Sequence, residues 1–83
     1  MKRSRDTIIS KILDICTDGA HKTKIVYQAN LNFRTVNPYL ELLKKNGLIN
    51  AKTDSKLVVY ETTARGLKLL DNFKRVQNEL SQD

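Results

Sequence analysis

The sequence predicts an α+β domain, mainly helical, with three helices, a β-hairpin and a last helix. Three observations predict it. Apolar residues recur at three- and four-residue spacing in successive stretches up to Gly47. The pattern then shifts to β-branched and aromatic residues around a run of turn formers. After Thr63 the helical spacing returns.

Each element has its own signals. Ser4 or Asp6 can cap a first helix, because either side chain accepts from orphan N–H groups. Ile8, Ile9, Ile12, Leu13, Ile15 and Cys16 carry its apolar face to about Thr17, and Gly19 suits the left-handed position that ends it. Ala20, His21 and Lys22 form a link or a stub of strand. Thr23 is the expected N-cap of a short second helix, whose apolar residues are Ile25, Val26 and Ala29 and which ends near Asn30.

Asn32 can cap a third helix from Phe33 to about Asn46. Phe33, Val36, Leu40 and Leu43 share its inner face by spacing, and Arg34, Pro38, Glu41 and Lys45 share the opposite one. Pro38 removes one backbone hydrogen bond and disfavours helix at Asn37. Either the helix runs through it with a kink, or it begins there with Asn37 as cap. The apolar spacing on both sides favours the continuous helix. Leu42 lies off both faces. Gly47 stops the helix, Leu48–Lys52 reads as a strand, residues 53–56 as a turn, and Leu57–Thr62 as the returning strand. Thr63 caps the last helix, where Leu69, Phe73, Val76 and Leu80 form a heptad seam of about one and a half heptads.

Composition bounds the chemistry. The 83 residues carry 15 Lys+Arg against 9 Asp+Glu, a net charge of +6. One domain of this size buries only about 60–65% of its unfolded surface, so a partner subunit would help it. Residues 1–60 hold 11 basic and 5 acidic residues, whereas 61–83 hold four of each. A localised excess points to a polyanion, most simply nucleic acid. Cys16 is the only cysteine, which fits a reducing, cytoplasmic setting and an inert core thiol. His21 is the only histidine, so no zinc ligand set assembles. The three glycines make no phosphate loop, and no apolar run approaches membrane-spanning length. The basic start of the chain leads into an amphipathic stretch, unlike a secretory signal. No catalytic constellation, cofactor, metal or small-molecule substrate is expected.

Three helices, a hairpin and a final helix are the elements of a winged helix-turn-helix. The second and third helices make the pair, Asn30–Asn32 the turn and the hairpin the wing. The segment Tyr39-Leu40-Glu41-Leu42-Leu43-Lys44-Lys45-Asn46-Gly47-Leu48-Ile49 resembles the recognition-helix end and wing start of many small prokaryotic winged-helix proteins. Tyr60-Glu61-Thr62-Thr63-Ala64-Arg65-Gly66 resembles their wing exit. Over residues 5–80 the chain resembles small archaeal winged-helix proteins, nearest the "ten-a" DNA-binding family of Sulfolobus. It departs from their pattern in carrying Pro38 and in having a short last helix. The resemblance implies a double-stranded DNA binder that dimerises through an antiparallel coiled coil of its last helices. Residues 1–62 would then bind DNA and residues 63–83 would dimerise.

In a helix-turn-helix the start of the second helix of the pair meets base edges in the major groove. Arg34 is the first candidate, because its fork matches guanine O6 and N7. Asn32, Thr35 and Asn37 are short polar neighbours, and Lys44 and Lys45 suit phosphates farther along. Lys22 and Lys24, helped by Gln28, flank the start of the second helix, where free N–H groups also favour phosphate. Lys52 and Lys56 bracket the wing turn. Lys2, Arg3 and Arg5 could form a basic arm. Glu41 is expected to pair with Lys45, Phe33 and Tyr39 to pack on the first helix, and Tyr27 to lie off the apolar stripe of its helix. Leu69, Phe73, Val76 and Leu80 would hold two copies together, with Lys74 and Arg75 beside Asp71 and Glu79 as a balanced flank. Alternatively, these four residues pack back on the first helix. The expected function is a homodimeric transcription regulator or nucleoid-associated protein, not an enzyme. A protein-interaction module or an RNA binder using the same face is the alternative.

Overall fold

A computed structural model describes residues 4–81, with side chains to residue 79; Lys2, Arg3 and the Leu80 side chain lie outside that range. The chain forms α1 (Arg5–Ile15), a 3-10 turn (Cys16–Asp18), β1 (Ala20–His21), α2 (Lys22–Ala29), α3 (Phe33–Lys45), β2 (Ile49–Asp54), β3 (Leu57–Thr62) and α4 (Ala64–Ser81). The hairpin is part of a three-stranded antiparallel sheet in the order β1-β3-β2. The stub after Gly19 is its third strand, pairing Ala20 with Tyr60 and His21 with Val59.

The helices start and stop by side-chain chemistry. The Ser4 hydroxyl accepts from the Thr7 N–H at 3.1 Å, so Ser4 and not Asp6 caps α1. The Asn32 carboxamide oxygen accepts from the Thr35 N–H at 2.7 Å and caps α3. Thr23 is not a cap: strand pairing holds His21 extended at the N-cap position, and Lys22 is already helical. Helices α2 and α3 end alike. Leu31 N donates to Val26 O at 2.9 Å past the left-handed Asn30, and Leu48 N donates to Leu43 O at 2.9 Å past the left-handed Gly47. Both are six-to-one closures that satisfy orphan carbonyls.

The core lies between the helices and one face of the sheet. Ile9, Ile12, Leu13, Ile25, Ala29, Val36, Leu40, Leu43, Ile49, Tyr60 and Cys16 fill it. Leu70 of α4 joins them at 5% exposure, with Leu69 and Phe73 half-buried beside it. Leu42, which the spacing left unassigned, packs half-buried against the same core. Phe33 departs from expectation: it sits at the first position of α3, outside the packed core, and is 51% exposed. Tyr39 does pack against the core.

Two threonines tie the sheet to the helices. The Leu13 carbonyl lies in the last turn of α1, just before the 3-10 turn. The buried Thr62 hydroxyl donates to it at 2.7 Å, and the Thr17 hydroxyl donates at 3.1 Å. Thr63 N donates to Leu48 O at 3.0 Å, its hydroxyl donates to Gly47 O at 2.7 Å, and that oxygen accepts from Gly66 N at 3.0 Å. This junction clamps the end of α3 to the start of α4.

The wing turn is tighter than the turn-former run suggests. Strand pairing persists to Asp54 opposite Leu57. Ser55 and Lys56 alone make the turn, both left-handed at φ 50° and 77°. Positive φ at both central positions is the turn whose twist matches a hairpin.

Gly66 gives the sharpest test of the junction. A Cβ there would overlap the Leu48 carbonyl oxygen and come within 2.6 Å of Thr62 Cγ2. Helix propensity alone would make Gly66→Ala stabilising by about 1 kcal/mol. Overpacking costs about 1–3 kcal/mol, and here the obstacle is backbone. Gly66→Ala should therefore lower the melting temperature in thermal unfolding followed by circular dichroism; a rise would show that the α4 approach is loose.

Candidate nucleic-acid interface

Helix α3 presents its outer face because its inner face is occupied. With Val36, Leu40 and Leu43 buried, the spacing turns Arg34, Pro38, Glu41 and Lys45 to solvent, and all four are exposed. Pro38 lies inside a continuous α3. The carbonyl that loses its partner is that of Arg34, at an exposed position where water can reach it. Thr35 and Asn37 are exposed on the flanks of the same turn. Asn32 is exposed as well, but its carboxamide oxygen is engaged as the cap, leaving its amide N–H groups as donors. On α2, Lys24, Gln28 and Tyr27 are exposed, and Lys22 is half-buried. Tyr27 is 86% exposed.

The ion pairs divide the cations into two sets. Lys44 pairs with Glu41 at 3.7 Å. Glu41 thus reaches the residue three positions on, not Lys45 as its spacing suggested. Lys52 pairs across the wing with Glu61 at 3.7 Å, Lys74 with Asp14 of α1 at 3.6 Å, and Arg75 with Asp71 at 3.1 Å. Lys74 and Arg75 thus balance charge within the chain. Among the described residues the other cations, Arg5, Lys11, Lys22, Lys24, Arg34, Lys45, Lys56, Arg65 and Lys68, have no acidic group at ion-pair distance. Lys22, Lys24, Arg34, Lys45 and Lys56 of this set lie on α2, α3 and the wing turn.

Sequence reasoning missed three parts of this surface. Phe33 stands exposed beside Arg34, and only its place one turn ahead of the first buried residue of α3 signals it. Arg65 and Lys68 line a shallow groove with Asn46 and Leu48, just past the end of α3. They look unremarkable in a charge-neutral tail, and the Thr63 junction is what brings them there. Cations so placed also complement the negative end of the α3 dipole. Leu57 and Val58 are exposed on the wing.

Residues 2–81 match a family model described as winged helix-turn-helix. The chain belongs to the winged helix-turn-helix family. Within it, an uncharacterized protein of Methanocaldococcus jannaschii is 38% identical over 73 residues, 87% of this chain and 71% of that protein. A second uncharacterized protein of that organism is 38% identical over 77 residues, of which the chain covers only 35% of the length. Among solved structures, Sso10a-2, a DNA-binding protein from Sulfolobus solfataricus, superposes with a TM-score of 0.82 at 30% identity, covering 94% of this chain and 85% of that one. MepR, a transcription regulator of Staphylococcus aureus, shares the fold with a TM-score of 0.79 at 22% identity, covering 93% of this chain and 58% of that one. In this winged helix-turn-helix, α2 and α3 are the helix pair and β2–β3 the wing.

Other chemistries find little to work with. Among the described residues no group of three or more His, Cys, Asp and Glu could hold a metal ion. No helix there is long and apolar enough to cross a membrane. His21 Nδ1–H donates to the Val58 carbonyl at 3.1 Å, fastening β1 to β3. Burial pushes the Cys16 thiol up to about 12, and nearby Lys24 offsets only part of that. Its thiolate is therefore scarce at neutral pH.

Cys16 should accordingly resist alkylation in the native protein at pH 8 and react at once in denaturant. The linkage has a definite sign. The unfolded chain loses the thiol proton near 9.0, while the folded chain keeps it to about 12. This group's contribution to stability is thus complete below the lower value and is lost as pH rises between the two. Urea unfolding of the parent and a Cys16→Ala variant at pH 7 and pH 10 checks this, because the parent should lose more stability at high pH.

Proposed function

We propose that this protein binds double-stranded DNA as a homodimer and acts as a transcription regulator or nucleoid-associated protein in the cytoplasm. The observation that carries the reading is the set of unpaired cations on α2, α3 and the wing. Charges without internal partners are free to displace counterions from phosphates, and this is the main source of affinity for DNA. The DNA-binding description of the Sulfolobus relative supports it.

In this reading the exposed face of α3 enters the major groove. Arg34 contacts a guanine edge or a phosphate, with Asn32, Thr35 and Asn37 as short polar neighbours. Lys45 and Lys44 hold the backbone farther along, as do Lys22, Lys24 and Gln28 from α2. Lys56 and Lys52 follow the backbone or minor groove from the wing, and Lys52 first has to leave Glu61. Residues 1–62 are the DNA-binding unit and 63–83 the dimerisation helix. Leu69, Phe73, Val76 and Leu80 would close the seam between two copies in an antiparallel coiled coil. Val76, at 53% exposure, has apolar surface free for that contact. Leu69 and Phe73 already lean on the core, so the dimer would cover only their remaining surface.

If about 6 phosphates are neutralised per bound unit, the log–log salt slope is about −5. An Arg34→Ala/Lys45→Ala variant should flatten the slope by about 2 and weaken binding to mixed-sequence duplex DNA in an anisotropy titration. An unchanged slope would remove α3 from the interface. Duplex RNA should compete poorly, since its deep, narrow major groove does not admit a helix. For the dimer, sedimentation should show the parent as two copies and Phe73→Asp as one. A parent that sediments as a monomer ends that part of the proposal.

A further inference from the structure

Phe33 is the one large aromatic residue of α3 that the core does not hold. Its spacing belongs to the inner stripe, yet Val36, Leu40 and Leu43 already complete that stripe, and Phe33 stays 51% exposed. Its place is defined closely. It is the first residue of α3, directly after the Asn32 cap. The cap bond at 2.7 Å and the Val36 N–H donating to Asn32 O at 3.0 Å fix the backbone on either side of it. Its neighbour Arg34 has no acidic partner among the described residues.

An exposed aromatic ring held at the first position of such a helix has a natural counterpart in duplex DNA. The N-terminal residues of a recognition helix meet base edges in the major groove. The only apolar group displayed there is the 5-methyl of thymine, and phenylalanine is one of the side chains that contacts it. We infer that Phe33 reads thymine by packing its ring on that methyl group, which gives the protein a preference for thymine-bearing steps beside the base or phosphate held by Arg34. The inference rests on the DNA-binding reading above and adds a specificity determinant to it.

The contact has a definite size. Removing one methyl-sized apolar group from water is equivalent to about fourfold in affinity. The test compares an AT-rich duplex with the same duplex in which deoxyuridine replaces thymidine, so that only the methyl groups differ. Parent protein, Phe33→Ala and Phe33→Leu are titrated against both. The parent should bind the thymine duplex at least about fourfold more tightly than the uracil duplex. Phe33→Ala should lose about fourfold of the parent's preference, and Phe33→Leu, which keeps an apolar side chain there, should retain part of it. Any effect of uracil on duplex shape is common to all three proteins and cancels in the comparison. If the parent and Phe33→Ala discriminate to the same extent, or if the parent does not discriminate, Phe33 does not read the methyl. If the parent binds neither duplex, the DNA-binding reading itself fails. Circular dichroism melts of the three proteins keep folding separate from recognition, because the exposed ring leaves little to lose on truncation.

Discussion

The clamp at Thr63 is the constraint on which the rest of this small fold depends. One residue closes three bonds: its N–H to Leu48, its hydroxyl hydrogen to Gly47, and its hydroxyl oxygen from Gly66. The chain leaves α3 at Gly47, runs out along β2, returns along β3 and arrives back at the place it left. The wing is thereby a closed loop with both ends fixed. The neighbouring Thr62 anchors the same point to α1 through the Leu13 carbonyl. Two adjacent hydroxyls thus connect the first, third and last helices at one locus, each satisfying a carbonyl at a helix end. In a domain with so little apolar interior, directional bonds of this kind fix relative orientation where packing area is scarce.

The candidate surface follows from that orientation. Helix α3 carries a complete inner stripe and a polar outer face, and the clamp holds the end of that helix in place. The ion pairs then partition the charge. Lys74 and Arg75 are matched within the chain, while Arg34, Lys45 and the α2 lysines are left open. A net charge points only to a polyanion; the open cations of α2, α3 and the wing turn are the ones that lie on the helix pair and its hairpin.

Much of the fold was legible in the sequence, because its signals are local. Ser4 and Asn32 cap as their side chains allow, Gly19 and Gly47 take the left-handed positions, and the apolar spacing carries α3 through Pro38. The misreadings share a different cause. His21 displaces Thr23 as the start of α2 because β1 pairs with a strand nearly forty residues away, and no local signal reports that pairing. Phe33 obeys the helical period and still escapes the core, because periodicity gives direction around a helix but does not say whether the first turn has anything to pack against. Glu41 pairs with Lys44 and not Lys45, a choice that spacing leaves open because both i+3 and i+4 neighbours lie within reach on a helix. Arg65 and Lys68 come close to the end of α3 only through the Thr63 clamp, so composition by segment assigned them to a neutral tail.

Gly66 carries a consequence of its own. Because α4 lies so close to Leu48 that no side chain fits between them, the start of the last helix is held against the end of α3. The contact fixes how closely the start of α4 approaches the residue that follows Gly47. For two such molecules joined by their last helices, the geometry of that joint would set the angle at which each reading head approaches its target.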